Sequence, residues 1–107
     1  MSAFKRIGYK KVRGTSYKGE INVPYNILVE TFGEPDSGDG WKTEAEWDIQ
    51  FSDGTVATIY NWKNGKAYLG ENGLDVEDIK TWHVGGRSRK VLDKVKEALE
   101  QKINQFE

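Results

Sequence analysis

The chain has 107 residues, 36% of them hydrophobic and 12% aromatic, with no cysteine and a formal net charge of −1. This length predicts one domain with a single small core rich in aromatic residues. The lack of cysteine excludes a disulfide framework and a thiolate metal site, no apolar run is long enough to span a bilayer, and the near-neutral charge argues against tight, non-specific binding to duplex DNA.

The N-terminal part of the chain is basic. Residues 1–20 contain six Lys or Arg and one acid, whereas residues 21–60 contain eight acids and one Lys. Residues 4–22 alternate weakly between apolar and charged positions, with two glycines among them. Two alternatives follow, because the glycines could close a hairpin or residues 1–13 could form a mobile basic arm.

A short amphipathic helix is predicted over about residues 24–32. Pro24 suits a first helical turn, apolar residues then recur at i, i+3, i+4 and i+7, and a Gly-Glu-Pro sequence ends the pattern. The segment EPDSGDG that follows is predicted to be a surface loop, because Asp, Ser and Gly favour turns.

The clearest pattern predicts a β-hairpin at about residues 44–62. In KTEAEWDIQF, large apolar residues alternate with acids, and TVATIYNW provides a return strand. Asp53-Gly54 favours a two-residue type I′ turn, which sets the register. That register assigns one packed face to Ala45, Trp47, Ile49, Phe51, Val56, Thr58, Tyr60 and Trp62, and the other face to Glu46, Asp48, Gln50, Ala57, Ile59 and Asn61.

The rest of the chain predicts further strands and a final helix. Lys66 to Leu69 is predicted as a short strand after the Asn64-Gly65 turn, and Ile79 to Val84 as another strand. Ser88 can cap a helix at about residues 88–105 whose apolar stripe, ending at Phe106, covers the hairpin. The fold class is therefore α+β, an antiparallel sheet of three to five strands centred on the hairpin and packed by two helices.

Enzymatic templates lack parts in this sequence. His83 is the only histidine, and no GxSxG, HExxH or P-loop pattern occurs. The acidic loops do not match the spacing of a calcium loop. No catalytic residue, metal or cofactor is therefore assigned, and a small hydrolase that uses Glu46 or Asp48 with His83 as acid and base stays a third alternative.

The segment WHVGGRSRK predicts an anion site. Two glycines allow close approach of a ligand to the backbone, the following helix presents free N–H groups, and three cations follow the glycines. The other interpretation is a tight strand-to-helix corner with solvated cations. The candidate ligand-binding residues are Trp82, His83, Gly85, Gly86, Arg87, Ser88, Arg89 and Lys90.

An acidic segment is the second candidate site. It could imitate nucleic acid or occupy a basic groove on a partner protein, since complementary charge steers association. Trp41 and Tyr17, which no pattern assigns to the core, are candidates for exposed contacts. The candidate partner-binding residues are Asp36, Asp39, Trp41, Glu44, Glu46 and Asp48.

Three segments, FGEP at residues 32–35, EWDIQFSDGTVATIYNW at residues 46–62 and WHVGG at residues 82–86, carry a resemblance. The chain resembles a group of small, mostly uncharacterised bacteriophage-encoded proteins over about residues 22–100. The resemblance implies a phage protein that acts in the host cytoplasm and that, like other small accessory phage proteins, antagonises a host defence. It implies no catalytic residue.

Two binding functions follow as expectations. The first is a non-enzymatic protein that captures an anionic, nucleotide-like signalling molecule at the WHVGGRSRK segment, and the alternative is an inhibitor that binds a host nuclease or nucleic-acid-binding protein through the acidic segment. A homodimer or a higher homo-oligomer is also expected, because sheet edges and a second apolar face at Ala57 and Ile59 would seek partners.

Overall fold

The structure, a computed structural model, describes residues 3–104. In this range one antiparallel sheet has the strand order β1-β3-β4-β5-β2, which confirms the predicted α+β class. Residue 105 and Phe106, the predicted end of the last helix, lie outside the described residues. The strands are Phe4–Arg6 (β1), Ser16–Asn22 (β2), Glu46–Phe51 (β3), Val56–Tyr60 (β4) and Thr81–Gly86 (β5), and the helices are Tyr25–Phe32 (α1), Lys66–Leu69 (α2) and Lys90–Asn104 (α3), with 3₁₀ turns at Tyr9–Val12, Gly70–Asn72 and Val76–Asp78.

Helices α1 and α3 cover one side of the sheet, named here the core face. Trp47 and Trp82 lie at its centre, fully buried and edge to face with ring centroids 5.4 Å apart. Their indole N–H groups donate to the carbonyl oxygens of Gly33 and Val23, so neither aromatic residue leaves a buried donor unsatisfied. None of the helices between residues 3 and 104 has the length and apolar character needed to cross a bilayer.

The turn of the central hairpin differs from the predicted one. The Phe51 N–H donates to the Thr55 carbonyl oxygen at 2.8 Å, and the Gly54 N–H donates to the Phe51 carbonyl oxygen at 2.9 Å. The loop between Phe51 and Thr55 therefore has three residues rather than two. Gly54 has a φ of 93°, whereas Asp53 keeps a negative φ that a type I′ turn does not allow. The type I′ prediction is therefore wrong.

This longer turn shifts the register by one residue. Trp47 lies opposite Ile59 and Ile49 opposite Ala57, while Glu46 lies opposite Tyr60. A one-residue shift moves a strand's side chains to the other face. Ala57 and Ile59 are therefore core residues rather than a second apolar face, and Thr58, Tyr60 and Trp62 leave the packed face to which the sequence assigned them.

Three other expectations are corrected. Lys66–Leu69 is a helical turn rather than a strand, because the Gly65 carbonyl accepts the Leu69 N–H at 3.0 Å. Gly85 and Gly86 are the last residues of β5 rather than a corner after it. The N-terminal segment is not a hairpin, since β1 pairs with β3 and β2 with β5 at opposite edges of the sheet.

Candidate functional site

The side of the sheet opposite the helices, named here the open face, carries polar and aromatic side chains. The ladder registers align these residues in two rows that cross β3, β4, β5 and β2 in that order. One row is Glu46, Tyr60, His83 and Glu20, and the next is Asp48, Thr58, Gly85 and Tyr17.

A cleft of about 350 Å³, named here the carboxyl cleft, lies on this face. Gly85 forms part of its floor. A larger residue would not fit at this position, because a Cβ there would lie 2.5 Å from the Thr58 Oγ1. Glu46, Thr58 and Tyr60 complete the floor, and Trp62 lines one boundary. The walls are Val12, Thr15 and Ser16 on one side and Asp39 and Thr43 on the other.

The two acids of β3, Glu46 and Asp48, share the open face, and Glu46 lines the cleft. Burial is the largest cause that raises the pKa of Glu46 to about 8, followed by the hydrogen bond and the charge of Asp48 and then by Asp36 and Asp39. Burial also raises the pKa of Asp48, which is only 3% exposed. Near neutral pH the pair therefore holds a proton that two solvated carboxylates would not hold.

Glu46 should couple stability to pH. Because its folded pKa of about 8 exceeds the ordinary 4.5, the folded state binds more protons than the unfolded state between these values, and stability falls as pH rises through that window. In Glu46→Gln the loss of unfolding free energy between about pH 5 and pH 9 should be smaller by roughly 1 to 3 kcal/mol, allowing for screening of a half-buried group. Urea unfolding at several pH values measures this difference. Glu97→Gln, on the exposed side of α3, is the matched control, and parallel profiles for Glu46→Gln and the wild type would contradict the assignment.

Aromatic rings continue from the cleft toward β2. The His83 ring lies 4.6 Å from Tyr17, 5.6 Å from Tyr60 and 6.2 Å from Trp62 between centroids. Its Nε2 lies 3.4 Å from a Glu20 oxygen, and burial lowers the His83 pKa more than Glu20 raises it. Glu46 lies two strands away from His83, with Tyr60 between them, so the two backbones are about 10 Å apart, beyond the spacing of adjacent strands.

Next to the cleft lies an exposed group of aromatic rings and ammonium groups, named here the aromatic–lysine patch. It consists of Trp41, Lys42, Trp62, Lys63 and Tyr68. Lys42 Nζ lies 4.7 Å from the Trp41 ring centroid and 5.7 Å from that of Trp62, and Lys63 Nζ lies 5.4 Å from Trp62 and 5.6 Å from Tyr68. Trp41 is 55% exposed and Trp62 is 38% exposed, so these rings are accessible to a ligand.

The predicted anion-binding residues are not brought together. Trp82 is in the core, and Gly85 and Gly86 are buried and paired with strands on both sides. The Arg87 guanidinium donates to the carbonyl oxygens of Lys11 and Arg13 at 2.8 to 3.3 Å. His83 lies on the open face, away from the other candidates. The Ser88 Oγ accepts the Lys90 N–H, and Arg89 and Lys90 are exposed at the start of α3.

The predicted acidic residues come together in part. Asp36 pairs with Arg6 at 3.2 Å, and Asp39 accepts N–H bonds from Thr43 and Trp41, which lower its pKa. The negative charges of both carboxylates raise the pKa of Glu46. Of the remaining members, Trp41 is exposed and Asp48 is buried beside Glu46. The Oε1 of Glu44 is buried against Gly65 and has no hydrogen-bond partner.

Several open-face residues were missing from the sequence-based sites. Tyr60 and Trp62 had been assigned to the core through the two-residue turn, and Lys42 and Lys63 carried no pattern. One sequence signal was available: Asp53-Gly54 also suits a three-residue hairpin loop with glycine at its last position, and that register places Tyr60 beside Glu46.

A comparison of the chain with protein-family models found no match, and a comparison with curated proteins found no significant relative.

Proposed function

We propose that this protein is a non-enzymatic binding protein that captures an anionic, nucleotide-like ligand on its open face. The observation that carries the proposal is the position of Trp62, which borders the carboxyl cleft and has Lys42 and Lys63 Nζ within 6 Å of its ring. Stacking on an exposed ring and charge pairing with phosphate are the two contacts by which proteins hold nucleotides without a dedicated motif.

The lysines are free to change partner. An exposed cation–π contact contributes about 0.5 to 1 kcal/mol, so each ammonium group could move to a phosphate at small cost and leave the ring to a base. Trp41 and Tyr68, whose ring centroids are 5.6 Å apart, extend the stacking surface beyond Trp62.

The backbone holds the two lysines side by side. The Lys63 N–H donates to the Lys42 carbonyl oxygen at 2.8 Å, and Lys63 has a φ of 58°, the only positive value among the described residues other than glycine. A left-handed conformation at a residue with a Cβ costs on the order of 1 kcal/mol. That cost, at a residue whose ammonium group lies in the patch, supports a binding role for the patch.

Calorimetric titration with mononucleotides and cyclic dinucleotides tests the proposal. Lys42→Glu/Lys63→Glu should weaken binding by at least about tenfold, because both phosphate contacts become repulsive. Arg89→Glu/Lys90→Glu carries the same change of charge at the start of α3 and should retain wild-type affinity. If only the second pair weakened binding, the ligand would lie at the WHVGGRSRK segment, and no binding of any nucleotide would reject the proposal.

The acidic residues favour a second candidate, an inhibitor that binds a basic groove on a host nuclease or nucleic-acid-binding protein. Asp39 and Glu46 line the carboxyl cleft, and the charges of Asp36, Asp39 and Asp48 raise the pKa of Glu46, so an arginine of a partner that bound there would be stabilised by several nearby acids. Capture of a stoichiometric host partner that weakens with salt and with Glu46→Gln would support it. Recovery of no such partner would count against it.

The biological setting is also proposed. The resemblance to phage proteins supports an action in the host cytoplasm against a host defence. Strands β1 and β2 are the edges of the sheet, and their unpaired backbone groups support the proposal that two copies pair edge to edge as a homodimer. Light scattering would decide the oligomeric state, and a monomer at all concentrations would remove the edge-pairing proposal.

A further inference from the structure

A second cleft, named here the histidine cleft, adjoins the carboxyl cleft at Trp62 and has a volume of about 410 Å³. Trp62 and His83 line it together with Asn64 and Leu74. Among residues 3–104, Trp62 is the one residue that lines both clefts, and it also belongs to the aromatic–lysine patch. A ligand that stacks on Trp62 therefore lies next to the histidine cleft.

The walls of the histidine cleft suit a planar ring. The rings of Trp62 and His83 are 27° from parallel, with centroids 6.2 Å apart, and Leu74 is 45% exposed. The Leu74 N–H donates to the Asn64 carbonyl oxygen at 3.0 Å, so a backbone hydrogen bond fixes Leu74 beside the segment that carries Trp62. The cleft thus offers aromatic and apolar contacts on a backbone that is already held in place.

The Asn64 amide group retains hydrogen-bonding capacity in this cleft. Its Oδ1 accepts the Asn61 Nδ2–H at 3.1 Å, and its own Nδ2–H donates to the Thr81 carbonyl oxygen at 3.3 Å. An amide side chain has two hydrogens and two lone pairs, and among the described residues these bonds use one of each. The remaining donor and acceptor form the pair with which an asparagine binds the edge of a base such as adenine.

The charges that line the histidine cleft favour an uncharged group over a phosphate. Lys80 is a cation, whereas Glu20 and Asp78 are acids, so a phosphate inside the cleft would face two carboxylates. The two lysines of the aromatic–lysine patch have their Nζ atoms within 6 Å of the Trp62 ring. The phosphate is therefore assigned to the patch, and the histidine cleft is left for a base.

We infer that the ligand carries two bases joined through phosphate, one stacked on the aromatic–lysine patch and the other seated in the histidine cleft. This inference rests on the proposed function and deepens it, because it names a dinucleotide rather than a mononucleotide as the class of ligand. Trp62 is common to the two positions, so one phosphodiester link can join bases that occupy both.

Calorimetric titration of the wild-type protein with AMP, ADP and the linear dinucleotide pApA tests the inference. The dinucleotide should bind at least about tenfold more tightly than AMP, because the second base adds a stacking contact and an edge contact. ADP controls for charge, since it has two phosphates and only one base. The dinucleotide should therefore also bind more tightly than ADP, by about fivefold or more.

Leu74→Glu locates the second base. A carboxylate at this wall of the histidine cleft should reduce the preference for pApA over AMP below about threefold, while AMP affinity stays within about threefold of wild type. Leu69→Glu is the matched control, because Leu69 is 44% exposed on α2 and lines neither cleft, and it should keep the preference. Leu74→Ser should lower the preference in the same direction, which keeps the test available if glutamate prevents folding.

The outcomes separate the two proposals. If no nucleotide binds, the proposed function fails and the inference fails with it. If AMP binds but pApA binds no more tightly than ADP, the ligand has one base and the inference alone is overturned. If the preference for pApA survives in Leu74→Glu and Leu74→Ser, or falls equally in Leu69→Glu, the second base does not lie in the histidine cleft and the inference is wrong.

Discussion

Trp82→Ala should lower the free energy of unfolding by about 3 to 5 kcal/mol, whereas Trp62→Ala should lower it by less than about 1 kcal/mol. Trp82 is fully buried, packs edge to face on Trp47 and donates its indole N–H to the Val23 carbonyl at 3.0 Å. Its removal leaves a large cavity and an unpaired carbonyl. Trp62 is 38% exposed on the open face, where truncation leaves no enclosed cavity.

Urea unfolding of the two variants measures this difference between residues of the same type. The result also tests the register of the hairpin, since a two-residue turn would place Trp62 on the packed face. Equal destabilisation by the two substitutions would contradict the three-residue turn. In ligand titrations the order of the two variants should reverse. Trp62→Ala, which stays folded, should lose more affinity than Trp82→Ala.

Asn61→Ala should destabilise the fold by about 2 to 4 kcal/mol. Asn61 is fully buried just after β4, and its Oδ1 accepts the N–H groups of Glu44 at 2.7 Å and Ala45 at 3.0 Å. Alanine would leave both donors without that acceptor in a site where water has little access. This one side chain therefore fixes the backbone that leads into β3.

The control for this prediction is Asn64→Ala. Asn64 accepts the Asn61 Nδ2–H at 3.1 Å, donates its own Nδ2–H to the Thr81 carbonyl at 3.3 Å and is itself half-buried, so its loss should cost about 1 to 2 kcal/mol, less than the loss of Asn61. Thermal and urea unfolding of both variants provide the comparison. If the two substitutions cost the same, the stabilisation would come from the bond between the two asparagines rather than from the bonds to Glu44 and Ala45.

Local patterns predicted the elements of this fold better than their connections. The alternation around Trp47 and Ile49 identified a half-buried strand, because period two depends only on neighbouring residues. The turn did not follow, since Asp-Gly occurs both as a two-residue turn and at the end of a three-residue loop. That one residue decided whether Tyr60 belonged to the core.

Short elements and long-range contacts were beyond the sequence patterns. Four residues from Lys66 to Leu69 are too few to distinguish periods of 2 and 3.6, so the helical turn was predicted as a strand. The edge position of β1 depends on pairing with β3, more than forty residues away.

The candidate site was predictable only where it depended on one strand. Glu46 and Asp48 were placed correctly on a shared face by their spacing of two. Arg87 was predicted as a ligand-binding cation, but its guanidinium is occupied by carbonyl oxygens 74 and 76 residues earlier in the chain. No local pattern reports a contact of that separation.

The bonds from Arg87 to Lys11 and Arg13 have a dynamic consequence. They join the connection between β5 and α3 to the segment that carries Val12 and Thr15, part of one wall of the carboxyl cleft. Residues 11–15 of that wall lie outside the strand ladder, so we expect them to open as a unit with a free energy well below that of global unfolding. Amide hydrogen exchange at residues 11–15 should then be faster than in β4. It should become faster still when the Arg87 guanidinium is removed by substitution. Ligands could thus reach the cleft while every strand stays paired.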